Sequence, residues 1–263
     1  MKVQLSVCIV AYHNYDDIAK AVSSLEEYTP KKIKKQIYIV DNSIISEKQK
    51  SDQAIFCEEI KKYEDVYVIS VGKNLGFGKG HNYIINEVES EYHAIVNPDI
   101  IFVEDAFSPI INYMNENRDI GMCIPNIIDE TGKRLQVYRK ELTVCDMFIR
   151  MFCKKLFPKR VAEHTLQNQD YTKPFQVPFG QGSFLVIRTE LFKELGGFDD
   201  RFFMYLEDAD LCKRVNQVSK LMYYPGASVI HKWKQGSHKN TKLLIYHIQS
   251  MKKYFQKWGY KWY

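Results

Sequence analysis

Cysteine is sparse in this chain of 263 residues, and long apolar runs are missing altogether. The six cysteines (Cys8, Cys57, Cys123, Cys145, Cys153 and Cys212) are scattered, with no C-x-x-C pair. That spacing excludes a zinc ribbon and a disulfide framework, and it predicts free thiols in a reducing compartment. No stretch approaches the ~18–20 apolar residues of a membrane span. The opening MKVQLSVCIVAYHNY has one lysine, too short an apolar core for a secretory leader and no small-residue cleavage site. It is read as a buried first strand, and the protein as cytoplasmic. Linkers rich in Pro, Gly or Ser are also absent, so one domain with an insertion is expected across residues 1–263. Acidic residues are missing from the end of the chain: none follows Asp210, whereas eleven Lys and Arg do, so the net charge of +5 is concentrated there. Such asymmetry points to a polyanionic partner for the C-terminal part, either nucleic acid or an anionic membrane.

What is present is an ordinary globular composition, 45% hydrophobic and 26% charged, which excludes a disordered chain. Short β-branched runs at Leu5 to Ala11, Gln36 to Val40, Val66 to Val71 and Tyr92 to Val96 predict strands. Between them, Tyr15 to Tyr28, Glu47 to Tyr63 and Lys79 to Val88 carry apolar residues three or four apart, which predicts helices. This alternation implies an α/β fold with a doubly wound, mainly parallel central sheet. Ligands of such sheets bind beyond the carboxyl ends of the strands. Each of those ends is polar here: AYHN, VDNS, VGKNLGFGKGHN and VNPD. Residues 131–175 are less regular, with basic clusters around an apolar, helical VCDMFIRMFCKKLF. After them come a strand, a short helix, a Gly-Gly turn and a helix starting near Glu207.

Four groups can carry chemistry. Asp99 follows a strand and a proline, where a carboxylate can hold a hard divalent cation; a simple turn before a helix at Glu104 explains the same residues. Asp41 ends the second strand, where an acid can accept from a base or ribose, or equally close an Asx turn. The glycines of NLGFGKGHN mark a close backbone approach, but they match neither G-x-x-x-x-G-K-[ST] nor a first-turn G-x-G-x-x-G, which disfavours P-loop and dinucleotide sites. In FFMYLEDADLCKR, Glu207, Asp208 and Asp210 follow an apolar run. They either favour a helix dipole or sit beside low-dielectric walls that suit a general base. His231, after MYYPGASVI, is either a satisfied structural histidine or a metal ligand.

Taken in order, VDNS, NLGFGKGHN, VNPD, GGFDDRFFMYLEDADLCKRV and PGASVIH resemble the inverting family 2 glycosyltransferases of GT-A fold, and most closely their bacterial rhamnosyltransferase-like members. The resemblance spans about residues 5–238. It implies a nucleotide-sugar-binding half over residues 1–100 and an acceptor-binding, catalytic half over 101–238. By resemblance, Ala11, Tyr12, Asn14, Asp41, Asn74, Gly76, Asn82 and Asn97 line the nucleotide-sugar pocket. Asp99 and His231 would hold Mg2+ or Mn2+. Asp208 would be the base, with Glu207 orienting it or the acceptor, and Gln181, Gly182, Phe203 and Tyr205 would meet the acceptor. Two departures stand out: Asn97-Pro98-Asp99 has one carboxylate where many GT-A enzymes have two, and Lys79 and His81 make the glycine loop more basic than expected.

The resemblance implies transfer of a sugar, rhamnose from dTDP-rhamnose or a hexose from a UDP-sugar, to a saccharide or lipid-diphosphate-linked acceptor of a bacterial surface polymer. Residues 239–263 read as a basic amphipathic tail, with Leu244, Ile248, Met251, Phe255 and Trp258 at helical spacing and lysines around them. Such a helix either lies on an anionic membrane, placing the protein on the inner face of the cell membrane, or packs on the core. A membrane is preferred here to nucleic acid as the tail's partner. The rival readings are a nucleic-acid-binding protein that uses this tail and a sugar-nucleotide binder without activity.

Overall fold

The computed structural model describes residues 3–46, 49–232 and 241–263. The expected helix start at Glu47, the end of the resemblance at 238 and the start of the tail at 239 lie outside the described residues. The first half alternates as expected: β1 (Val3–Ala11), α1 (Tyr15–Tyr28), β2 (Lys35–Asp41), α2 (Lys50–Ile60), β3 (Val66–Ser70), α3 (Phe77–Asn82) and β4 (Ser90–Val96). There follow β5 (Ile100–Phe102), α4 (Phe107–Glu116), β6 (Ile120–Ile128), β7 (Tyr138–Arg139), α5 (Val144–Phe148), a π-helical turn (Ile149–Cys153) and α6 (Pro158–His164). The chain then forms β8 (Phe175–Gln176), β9 (Phe179–Gly180), β10 (Phe184–Arg188), α7 (Thr189–Glu194), α8 (Glu207–Val218), β11 (Lys220–His231) and α9 (Thr241–Trp258).

One sheet runs through the molecule in the order β3-β2-β1-β4-β10-β6-β11-β5, with β8 sharing the outer edge of β11. Strands β3, β2, β1 and β4 are parallel, as are β6 and β11. β10 enters antiparallel between β4 and β6 and joins the two halves. β1 is buried along most of its length because helices cover both faces of this part of the sheet, which is why its sequence is almost continuously apolar. On α1, Ile18, Ala21, Val22 and Leu25 are buried on one face against that sheet. Each large aliphatic side chain so buried contributes roughly 1.5–3 kcal/mol relative to exposure.

Two helices differ from expectation. α3 starts at Phe77 and ends at Asn82, not Lys79 to Val88. It starts early because the Phe77 N–H donates to the Phe203 carbonyl at 3.0 Å. Beyond Asn82 the chain continues in turns bonded three residues back, Ile85 to Asn82 and Glu87 to Ile84. The helix expected at Glu104 begins at Phe107, after the short strand β5. The basic tail does form a helix, and part of it packs: Ser250, Tyr254 and Phe255 of α9 are buried, while Leu244, Ile245 and Ile248 are exposed. Lys257 of α9 reaches Asp199 and Asp210 at 2.7 and 2.6 Å, and the Trp258 indole N–H donates to Asp210 at 2.9 Å. Asp210, the third acid after the aromatic run, is therefore an anchor for α9 and α8, where Arg214 also binds it at 2.7 Å.

Candidate active site

The polar ends of β1, β2 and β4 meet β10 and β11 at one edge of the sheet. Ala11 and Asp41 are register partners there. The Asp41 carboxylate is buried and accepts from Tyr15 Oη at 2.8 Å, Gln53 Nε2 at 2.8 Å and the Ser43 N–H at 2.9 Å. The Asx turn is thus formed, and the carboxylate also holds α1 and α2 beside the pocket. Asn14 accepts from the Tyr12 N–H, which leaves the Tyr12 ring exposed at the rim.

The glycine loop is held to the acid-bearing loop by its backbone. Asn74 Oδ1 accepts from the Gly76 N–H, and Asn42 donates to the Gly76 carbonyl. Gly76 lies at φ +80°, and a Cβ there would stand 2.0 Å from the Phe203 carbonyl oxygen. Only glycine fits this crossing. The Asn82 amide donates to the Phe198 carbonyl and accepts from the Phe198 N–H, at 2.7 and 2.8 Å, so it clasps the turn after Gly197.

At the end of β4, the Asn97 N–H donates to the Ser183 carbonyl at 2.8 Å. The neighbouring Gly182 N–H donates to Asp208 Oδ2 at 3.0 Å. These two bonds tie the loop of Asp99 to the start of α8 through the adjacent residues Gly182 and Ser183. Asp99 Oδ1 lies 3.2 Å from His231 Nε2, and the Lys232 N–H donates to the Asp99 carbonyl. The structure therefore joins two residues that are 132 positions apart and that the resemblance assigns to one metal. No cluster of three or more His, Cys, Asp or Glu suited to a metal occurs among the described residues. A carboxylate and an imidazole suit Mn2+ or Mg2+ only if a bound diphosphate completes the shell. Asn97 Oδ1, shielded and without a hydrogen-bond partner, is a further oxygen beside Asp99.

The two catalytic candidates divide by environment. Glu207 is 5% exposed, and its Oε2 is shielded with no partner. Burial, reinforced by the charge of Asp208, pushes its carboxyl up to about 8, so it keeps a proton at neutral pH. Asp208 is only partly buried and accepts from two backbone N–H groups, Gly182 and, at 2.8 Å, Ala209. Burial raises its carboxyl too, but those N–H groups and the Arg139 guanidinium oppose the rise. The two carboxyls titrate as a pair, and Asp208 is the more accessible member. Both acids follow Tyr205 and Leu206, at φ +69° and +66°. Two successive left-handed non-glycine residues cost ~1–2 kcal/mol each, and strain of this kind gathers at functional sites.

Of the acceptor-side residues, Gly182 touches Asp208 directly, and Gln181 is fixed by its N–H to the Val137 carbonyl. Phe202, at the head of the aromatic run, belongs to the core. The Phe203 and Tyr205 rings meet Tyr246 and His247 of α9, with centroids 4.8 Å apart in each pair. Tyr246 and His247 are therefore part of this wall. Arg139, on Phe179 of β9, is a separate neighbour whose charge acts on Asp208. None of these three stands in a motif, and only the pairing of β7 with β9 and the packing of α9 bring them in.

The family model for glycosyl transferase family 2 matches residues 6–196. The chain is 26% identical over 186 residues to the N-acetylglucosaminyl-diphospho-decaprenol L-rhamnosyltransferase of Mycobacterium tuberculosis, covering 65% of this chain and 60% of that protein. It is 26% identical over 259 residues to rhamnosyltransferase WbbL of Escherichia coli K12, covering 94% and 90%. Among solved structures, GalNAc-T7 with UDP, GalNAc and Mn2+ superposes with a TM-score of 0.66 at 17% identity, over 89% of this chain and 44% of that one. The mannosyltransferase PcManGT from Pyrobaculum calidifontis, in complex with GDP-Man and Mn2+, gives 0.64 at 14% identity, over 97% and 65%. The match thus spans less than two thirds of the mycobacterial relative and of both solved chains. With the nucleotide-side loops, the paired Asp99 and His231 and the two acids gathered at one edge of a GT-A sheet, the chain belongs to glycosyl transferase family 2.

Proposed function

We propose that the protein transfers a sugar, rhamnose from dTDP-rhamnose, to a saccharide or lipid-diphosphate-linked acceptor with inversion, in the synthesis of a cell-surface polysaccharide. The observation that carries this reading is the difference in environment between Glu207, buried and protonated, and Asp208, more accessible and bonded to two backbone N–H groups, in a loop bonded through Gly182 and Ser183 to that of Asp99. Rhamnosyl transfer is favoured over a UDP-hexose reaction by the two rhamnosyltransferase relatives. A non-enzymatic nucleic-acid-binding role finds no support in α9, whose Lys253 and Lys257 are bonded to the loop that leads into the site.

In this reading Ala11, Tyr12, Asn14, Asp41, Asn74, Gly76, Asn82 and Asn97 form the nucleotide-sugar side, with Asp41 acting partly through the Tyr15 and Gln53 it holds. Asp99 and His231 would hold Mg2+ or Mn2+, which supplies positive charge against the leaving diphosphate. Asp208 removes the proton of the acceptor hydroxyl on the face opposite the leaving group. Glu207 orients Asp208 or the acceptor, and it can donate a hydrogen bond while protonated. Gln181, Gly182, Phe203 and Tyr205 form the acceptor wall. No helix among the described residues is long and apolar enough to cross a membrane. Association with the inner face of the cell membrane is accordingly proposed as peripheral. A thermal-shift screen of dTDP-rhamnose, UDP-glucose, UDP-N-acetylglucosamine and GDP-mannose with and without Mn2+ tests the reading. A shift for dTDP-rhamnose that needs Mn2+ supports it, and a shift for none of the four contradicts it.

A further inference from the structure

Residues 138–164 have no task in the reaction above, yet two guanidinium groups in this segment act on Asp208. Arg139 pairs across β7 and β9 with Phe179, and its guanidinium lies over that ring, 5.0 Å from the centroid. β9 leads directly into Gln181 and Gly182, the latter holding Asp208. Arg150 comes from the π-helical turn, a distortion often found at functional sites, and it is attracted by both Asp208 and Asp146 while repelling Arg139. Neither arginine makes a side-chain hydrogen bond or ion pair among the described residues, and Arg139 Nε is shielded with no acceptor. The other charges nearby do not neutralise them. Asp146 is already bonded to Arg160 at 2.6 Å and to Thr143 at 2.7 Å, and His164 is neutral, its pKa lowered to about 4 by burial. Two arginines without a side-chain partner, each within electrostatic reach of Asp208 and with Arg139 anchored on the ribbon that leads to Gly182, leave a local excess of positive charge that a neutral sugar cannot satisfy.

We propose that Arg139 and Arg150 form an anion subsite beside Asp208 that takes a phosphate or diphosphate group of the acceptor. The planar fork of arginine matches the oxygens of such a group in bidentate fashion. The assignment to an acceptor rests on the transferase reading; the anion subsite itself does not. Calorimetric titration with inorganic pyrophosphate in EDTA isolates it, because the donor side binds diphosphate weakly without metal. The wild-type protein is expected to bind pyrophosphate, Arg139→Gln and Arg150→Gln at least ~10-fold more weakly, and Asp99→Asn as the wild type does, the scale expected for a charge-assisted bidentate contact. The Lys variants at both positions should recover part of the loss, and a melting curve identifies any variant that fails to fold. No binding by the wild type, or loss in Asp99→Asn alone, overturns the subsite. Glycerol 3-phosphate in place of pyrophosphate separates the two sources of phosphate: tighter binding of glycerol 3-phosphate would assign the site to a membrane-lipid headgroup and overturn the acceptor assignment. Binding of dTDP with Mn2+, measured on the same protein, decides the donor reading separately.

The outer side of the same segment carries an independent signal. Phe148, Phe152, Leu156 and Phe157 are exposed, from 47% at Phe157 to 76% at Leu156, and the Phe148 and Phe152 rings touch at 5.1 Å. Between Met147 and Ala162 there is no acid, whereas Arg150, Lys154, Lys155, Lys159 and Arg160 are basic. Exposed aromatics framed by lysines match the headgroup region of an anionic bilayer, with apolar rings in the acyl boundary and ammonium groups at the phosphates. We infer that this face, more than the partly packed α9, seats the protein on an anionic membrane. Co-sedimentation with phosphatidylglycerol vesicles should fall at least ~5-fold in Phe152→Glu/Leu156→Glu, and also as salt screens the lysines. Unchanged sedimentation overturns the inference, as does a dimer in light scattering that the same substitutions dissolve.

Discussion

Asp208→Asn exchanges one oxygen for an amino group at a position where both carboxylate oxygens are occupied. Oδ2 accepts from the Gly182 N–H and Oδ1 from the Ala209 N–H. Asparagine offers one acceptor, so its amino group must face one of those N–H groups, and one backbone donor loses its partner at about 1–3 kcal/mol. A modest fall in melting temperature is therefore expected even though the shapes match. Turnover should fall much further, by roughly 10²-fold or more, because the variant cannot accept the acceptor's proton. Donor affinity should stay near normal, since it depends on the loops at Ala11, Asp41, Gly76 and Asp99. Loss of the Asp208 charge should also let the Glu207 carboxyl fall from about 8 toward the value that burial alone sets. The assay is turnover, donor affinity and melting on one preparation. Near-normal turnover would refute Asp208 as the base, and a parallel collapse of all three would make it a structural residue.

Glu207→Gln should leave stability almost unchanged near pH 4 and raise it relative to wild type as the pH climbs to 8. The folded Glu207 keeps its proton up to about 8, while the unfolded carboxyl releases it near 4.5, so wild-type stability drops across that window and the glutamine variant's does not. The gap, read from melting curves, should reach a few kcal/mol, at ~1.4 kcal/mol for each tenfold change in proton affinity on folding, and a pH-independent gap would contradict it. Gly76→Ala should cost about 1–2 kcal/mol for a left-handed alanine and a further ~1–3 kcal/mol for driving a methyl group into the Phe203 carbonyl. Gly72→Ala, at φ +71° with open space around it, is the control that carries the first cost alone, and equal melting of the two would refute the crossing. Asp99→Asn and His231→Ala should each remove most of the gain in dTDP affinity that Mn2+ brings, measured calorimetrically; a gain equal to wild type would sink the metal assignment.

The nucleotide-side sheet is legible in the sequence because parallel strands buried on both faces leave unbroken β-branched runs, and the loops after them carry short polar motifs. Asp99 and His231 can be paired only through resemblance, since nothing local to either indicates that β5 and β11 are neighbours. The clasp of Asn82 on the turn after Gly197 is not legible, because a motif position does not reveal its partner. The boundary of α3 shifts because the Phe203 carbonyl, 126 residues downstream of Phe77, starts the helix. The amphipathic pattern of α9 is visible, but the part of it that packs on protein is set by Asp210, Phe203 and Tyr205, which no periodicity can place. Arg139 and Arg150 give no signal, as basic residues in an irregular segment read as solvated surface until the β7–β9 ribbon and the π-helical turn bring their charges to bear on Asp208.

The proposed mechanism rests on single displacement at the sugar carbon, with Asp208 as base on the face opposite the nucleotide. Proton NMR of the product formed from dTDP-rhamnose, Mn2+ and a saccharide diphosphate acceptor tests it most directly through the configuration of the new anomeric centre. The expected product is the anomer opposite to that of the donor, formed at least ~10²-fold more slowly by Asp208→Asn. A product that retains the donor's configuration, or one that Asp208→Asn makes at the wild-type rate, would contradict it.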